Sequence, residues 1–208
     1  AKVLLGWTYS DMGDCDKAME VYTSSLKQAE ELGEKRGIGT SLSNIGAVHY
    51  YKGDYDTALD YYARSLTIRE ELGDKYGMGY SLNNIGIVHH DKGDYDKAKE
   101  HFEKSLTIQK EIEIKGIDLE TTTYLYLTYK HLGKDYDVKE IHRLIKEAEN
   151  IEFEINYALY QLLEDTSYLE TAYSQVQEKA SAMEEELGKK FLSYPIPKAI
   201  VEEWEKVK

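Results

Sequence analysis

The sequence predicts an all-α protein, an array of about four repeated helix pairs closed by a helical C-terminal segment. Three observations carry this. The stretch SLNNIGIVHHDKGDYDKAKEHFEKSLTI at residues 81–108 restates SLSNIGAVHYYKGDYDTALDYYARSLTI at 41–68. Aligned without a gap, residues 40–79 and 80–119 share 19 identities in 40, and residues 1–39 fit the same frame more loosely. A fixed period of 20–50 residues marks stacked supersecondary units. Within each unit, apolar residues fall three and four positions apart, the spacing of one helical face. With only two prolines among 208 residues, little interrupts such helices.

The units are read as about 1–39, 40–79, 80–119 and 120–153. In the third, Leu82, Ile85, Val88 and His89 share a face of the first helix, and Ala98, Phe102 and Leu106 form the stripe of the second. Gly93 is expected to end the first helix in a left-handed conformation, with Asp94 as the N-cap or turn residue that follows. The small residues Gly6, Gly46 and Gly86, with Ala18, Ala58 and Ala98, mark where two antiparallel helices approach closely. The aromatic position is Tyr22, Tyr62 or Phe102, and the words EELG at 30–33 and 70–73 end the second helices.

The fourth unit is degraded. It keeps Gly133 and an apolar stripe of Ile141, Leu144, Ile145 and Ala148, but carries Tyr126 at the first small position and Val138 at the alanine. Terminal repeats of stacked arrays are often atypical. Beyond about 154 the period vanishes. Residues 155–188 read as two helices broken near EDTS, with Asp165 to Ser167 supplying the cap. Residues 191–208 read as an extended link containing Pro195 and Pro197, then a last helix with Ile200, Val201 and Trp204 on one side. Residues 154–208 are taken as a helical cap; the same segment could instead fold into the groove as a built-in competitor.

Composition excludes several functions. Acidic residues outnumber basic ones 39 to 26, a formal charge of −13, which opposes binding to a nucleic-acid backbone. No apolar run approaches the roughly 18 residues of a membrane span, and no signal peptide opens the chain. The single cysteine, Cys15, suits a reducing, cytoplasmic setting, and the acidic neighbours Asp14 and Asp16 oppose its thiolate. The chain begins at Ala1 already close to the repeat, so it is expected to be part of something longer. His49 and His89 stand a repeat apart and His90 points elsewhere, so no metal site is expected. No phosphate loop or nucleophile elbow is present, and no cofactor or catalytic residue is expected.

The pattern Gly86, Gly93, Ala98, Phe102 resembles the tetratricopeptide repeat (TPR). With its 40-residue period and its NNIG and GDYDKA words, it is similar to the longer-period form of kinesin light chains. The resemblance implies a right-handed α-solenoid whose first helices line a concave groove. It places there Ser43, Asn44, Ala47, Tyr50 and Tyr51 from the second unit, and Asn83, Asn84, Ile87, His90 and Asp91 from the third. Thr123, Tyr124, Leu127 and Lys130 follow from the fourth.

Asn44 and Asn84 fall where such adaptors hold a peptide backbone; an amide offers two donors and an acceptor, although it can equally bond between neighbouring helices. The groove positions are mostly neutral, which implies modest salt dependence. Val3, Trp7, Ser43, Ala47, Asn83 and Ile87 supply no cation, which argues against a clamp for terminal carboxylates. The function implied is a non-enzymatic scaffold that binds a protein or peptide. The alternatives are the regulatory sensor portion of a larger prokaryotic signalling protein (kinase, cyclase or ATPase), or self-assembly through the ends of the array.

Overall fold

The computed structural model describes residues 2–112 and 118–208, without the side chains of residues 2–4 and 11. The side chain of Val3 and residues 113–117 of the third unit therefore lie outside what is described. The described residues form twelve helices: α1 Lys2–Asp11, α2 Cys15–Leu32, α3 Lys35–Tyr51, α4 Tyr55–Leu72, α5 Lys75–Asp91, α6 Tyr95–Glu111, α7 Asp118–His131, α8 Val138–Glu147, α9 Phe153–Leu163, α10 Thr166–Ser181, α11 Glu185–Leu192 and α12 Pro195–Val207. The helix starts Lys35 and Lys75, and Tyr55 and Tyr95, reproduce the 40-residue period.

The turn inside each pair is built as its sequence dictates. Gly93 takes φ +79°, and the N–H groups of Gly93 and Asp94 donate to the carbonyls of His90 and His89. Such a turn needs a residue without Cβ. Asp54 accepts from Thr57 N at 3.4 Å, and Asp14 from Lys17 N at 3.1 Å. Asp94 caps no backbone; it stands 3.4 Å from His89 Nδ1 instead.

The small positions have a direct packing reason. A Cβ added at Gly86 would lie 2.6 Å from the Phe102 ring, and one at Gly46 would lie 3.0 Å from Tyr62. The aromatic ring of each second helix therefore rests on the backbone of the first, beside alanines 18, 58 and 98, all fully buried. Lysines tie the pairs together in register. Lys35 meets Glu71 at 2.7 Å and Lys75 meets Glu111 at 2.9 Å, while Lys52 pairs with Asp16 and Lys92 with Asp56.

In the fourth unit the bulk of Tyr126 alters this packing. Its hydroxyl donates to Glu140, α8 has only 10 residues, and Val138 is 40% exposed where the earlier units bury alanine. Ile141 and Leu144 still reach the core, whereas Ala148 stands just beyond the helix as its C-cap.

Beyond residue 152 the chain is again helical, and one sequence expectation changes. The break near EDTS is present, with Asp165 accepting from Ser167 N at 3.0 Å. The expected extended link is absent, because Phe191 and Leu192 belong to α11 and Pro195 itself begins α12. Proline suits the first helical turn, where its missing N–H leaves no bond unmade.

Placement of these helices is divided. Ala158, Leu159 and Leu162 of α9 share a core with Ile87, Phe102 and Tyr124, continuing the stack beyond α7. Lys130, assigned to the groove by sequence, instead donates to the carbonyls of Gln161 and Leu162 and to Glu164, holding the C-terminal end of α9. Residues of α10 to α12 return to the opposite end. Val176, Phe191, Tyr194 and Ile200 form one core with Cys15, Ala18, Tyr22 and Val48.

Candidate functional site

Three consecutive first helices and the start of α9 leave a cleft of about 370 Å³ between them. Ala47, Tyr50 and Tyr51 come from α3, Tyr62 from α4, Tyr80, Asn84 and Ile87 from α5, and Glu120 and Tyr124 from α7. Glu152, Glu154 and Ile155 close it from the start of α9. A second recess, about 360 Å³, shares Tyr124 and is lined by His90, Asp91, Tyr95 and residues of α9 and α12. The Tyr50 hydroxyl donates to Asp91 at 2.8 Å and links the two walls.

The groove positions inferred from sequence divide accordingly. Ala47, Tyr50, Tyr51, Asn84, Ile87 and Tyr124 come together around the first cleft, and His90 and Asp91 around the second. His90 is packed rather than free, with Nδ1 2.9 Å from Thr128 Oγ1 and its ring edge-on to Tyr124.

Five assignments are corrected. Ser43, Asn83 and Leu127 are 7%, 1% and 2% exposed and line neither space; Asn83 reaches the cleft only through its amide on Glu120. Thr123 is fully buried and donates to the Leu119 carbonyl within its own helix. Asn44 lines neither space; its Oδ1 lies 3.5 Å from Trp7 Nε1, a contact between neighbouring helices. A one-residue step turns a helical side chain by about 100°, which separates Asn83 from Asn84.

The cleft is less neutral than the sequence suggested. Glu120, Glu152 and Glu154 were missed, as were Tyr62 and Tyr80. Burial pushes the Glu154 carboxyl up to about 7, and nearby Glu120 and Glu152 add to the shift while Lys179 opposes it. Burial also raises Glu120, partly offset by the amide of Asn83, whose Nδ2 donates to it at 3.0 Å. Asp91 stays open on one side, yet the crowding around it pushes its carboxyl up to about 6, against the hydrogen bond from Tyr50. Burial, then Asp91, holds the Tyr50 phenol well above its ordinary range; Tyr51 is raised first by Glu154 and then by burial.

These shifts fix the sign of a pH effect. A carboxyl raised in the fold favours folding below its unfolded pKa, and that contribution is lost as pH rises through the folded value. Glu154→Gln is therefore expected to be more stable than the parent chain by about 1–2 kcal/mol at pH 8.5, allowing for solvent in the cleft. The difference should vanish by about pH 4.5, because glutamine mimics the protonated acid. The buried His90 and His101, whose pKa values fall to about 4, titrate with the opposite sign but cancel in this comparison. Urea titrations of both proteins across this range test it, and a pH-independent difference would refute the assignment.

The other chemistry-bearing residues are engaged in the fold. Cys15 is buried, and burial pushes its thiol up. His49 lies 3.0 Å from Asp54 and stacks on Tyr61, and His89 stacks on His101. Among the described residues, no group of three or more His, Cys, Asp or Glu is placed to hold a metal ion. No helix among them is long and apolar enough to cross a membrane.

A stack of two-helix units around a ligand-sized inner cleft defines the class: a helical-repeat solenoid. Models of the tetratricopeptide repeat match residues 3–36 and 37–111, just over half of the chain, and the chain belongs to that family. No curated protein matches it.

Among solved structures it is similar to RapI in its apo form, with TM-score 0.68 and 17% identity over 99% of this chain and 64% of RapI. It is also similar to BtubC (BKLC) from P. vanneervenii, with TM-score 0.58 and 23% identity over 76% of this chain and 63% of BtubC. A candidate kinesin light chain of P. anserina with nearly identical TPR-like repeats gives TM-score 0.57 and 14% identity over 92% of this chain and 93% of that one. At these identities the likeness is one of fold. It includes kinesin-light-chain-type repeats, in keeping with the 40-residue period. The matched regions span just under two thirds of RapI and of BtubC.

Proposed function

We propose that this chain is a non-enzymatic scaffold whose central cleft takes a peptide segment of a protein partner. The observation that supports this is the cleft lining. Tyr50, Tyr51, Tyr62, Tyr80 and Tyr124 supply rigid apolar area with polar tips, and Asn84 supplies an amide able to pair with a peptide bond. The volume falls within the roughly 300–1,000 Å³ typical of ligand clefts. A second recess stands on the other side of Tyr124, which suits a ligand several residues long.

Selection from a displayed library of random heptapeptides on the full chain provides the test. Asn84→Ala and Tyr124→Ala should each weaken the selected peptides by about 1–3 kcal/mol. Asn84→Ala should leave the thermal midpoint nearly unchanged. An empty selection, or peptides indifferent to both substitutions, would remove the reading.

A further inference from the structure

The geometry points to a cation-recognising subsite in this cleft: a lysine or arginine side chain of the bound peptide enters between Tyr50, Tyr51 and Tyr124, and its charged head meets Glu120 and Glu154. The inference rests on the peptide-binding reading above and specifies the chemistry of its ligand.

Glu120, Glu152 and Glu154 all line the cleft, and among the described residues no lysine, arginine or histidine nitrogen lies within ion-pairing distance of them. Other carboxylates between helices do find a cation, Asp16 in Lys52 and Lys190 and Glu111 in Lys75. Lys179, which acts on Glu154 electrostatically, sits 5.5 Å from the centre of the Phe153 ring and 5.8 Å from that of Phe191.

A separate observation comes from Asn83. This side chain is 1% exposed, and its Nδ2 fixes the Glu120 head at 3.0 Å. Its Oδ1 is buried without a partner, an acceptor beside Glu120 that lacks a donor. An ammonium or guanidinium group supplies donors and positive charge together, and tyrosine faces attract the same group through their quadrupoles. An acidic or C-terminal carboxylate ligand would meet like charge on one wall and no cation on the others. The ligand is a peptide side chain rather than a free amine because the cleft shares Tyr124 with a second recess and carries Asn84, which suits a backbone.

The test compares heptapeptides selected on the parent chain with those selected on Glu120→Gln/Glu154→Gln. Peptides selected on the parent should show lysine or arginine enriched at one position, and the double variant should lose that enrichment. For a synthetic selected peptide, replacing that residue by methionine should cost at least tenfold in affinity for the parent and little for the variant. This peptide-side change needs no protein variant to fold. Selected peptides that are neutral or acidic throughout, or equal affinity of the methionine peptide, would overturn the inference while leaving the peptide-binding reading in place. An empty selection would remove both.

Discussion

Removal of residues 191–208 is expected to destabilise the first two repeats, not merely to fray the C terminus. Phe191, Tyr194 and Ile200 are 4%, 9% and 0% exposed, and their neighbours in the core include Cys15, Ala18 and Val48 from α2 and α3. Pro195 lies against the Gly53 turn, 3.0 Å from where a Cβ would stand. Each large apolar side chain so buried contributes about 2 kcal/mol, so the deletion should cost on the order of 5 kcal/mol. That is a large share of a typical domain's stability. Thermal unfolding should shift down sharply, and hydrogen exchange should accelerate at residues 13–22 and 45–51, more than 130 residues from the cut. Unchanged protection there would refute the shared core. A stable product that bound the selected peptides more tightly would show the segment to be an internal competitor.

Phe102→Ala should be the most damaging single substitution in the third repeat, costing about 3–5 kcal/mol. The ring is fully buried, stacks on Tyr124 with centroids 6.2 Å apart, and occupies the space a side chain at position 86 would need. Gly86→Ala alone should cost about 1–3 kcal/mol, because the added methyl meets the ring at 2.6 Å. In the Phe102→Ala background the same methyl enters vacated space, so the second change should cost almost nothing or stabilise. Urea unfolding of the four proteins measures this coupling, and additive effects would show that the glycine is small for another reason.

The repeat units were legible in the sequence because their determinants lie close together in the chain. Gly93 and its equivalents mark a turn that needs positive φ, and Gly86 with Phe102 marks a close approach only 16 residues apart. These are properties of single positions repeated at one period, so three copies expose them. Half of the cleft was legible on the same basis, since Tyr50, Asn84 and Tyr124 stand on successive first helices. Glu120 could have been suspected, as it stands one period after Tyr80, but its pairing with Asn83 gives no local signal. Ser43, Asn83 and Leu127 were misassigned because groove and packing positions are neighbours on a helix. There, one residue decides which way a side chain points.

Local residue pattern sets the helix pairs, their turns and the small positions on which the aromatic rings rest. The sequence carried enough repeated pattern to place the chain in the TPR class. Only the assembled fold brings α10 to α12 back to the first repeats, and sets Glu152, Glu154 and Ile155 to complete a cleft otherwise built from residues 47–124. The reason is geometric. In a stacked array the small rotation between successive units accumulates along the chain, and the resulting curvature decides which distant surfaces meet. No period in residues 153–208 records that meeting. The contacts between Tyr194 and Cys15, or between Glu154 and Tyr51, exist only once the earlier units have set the curve.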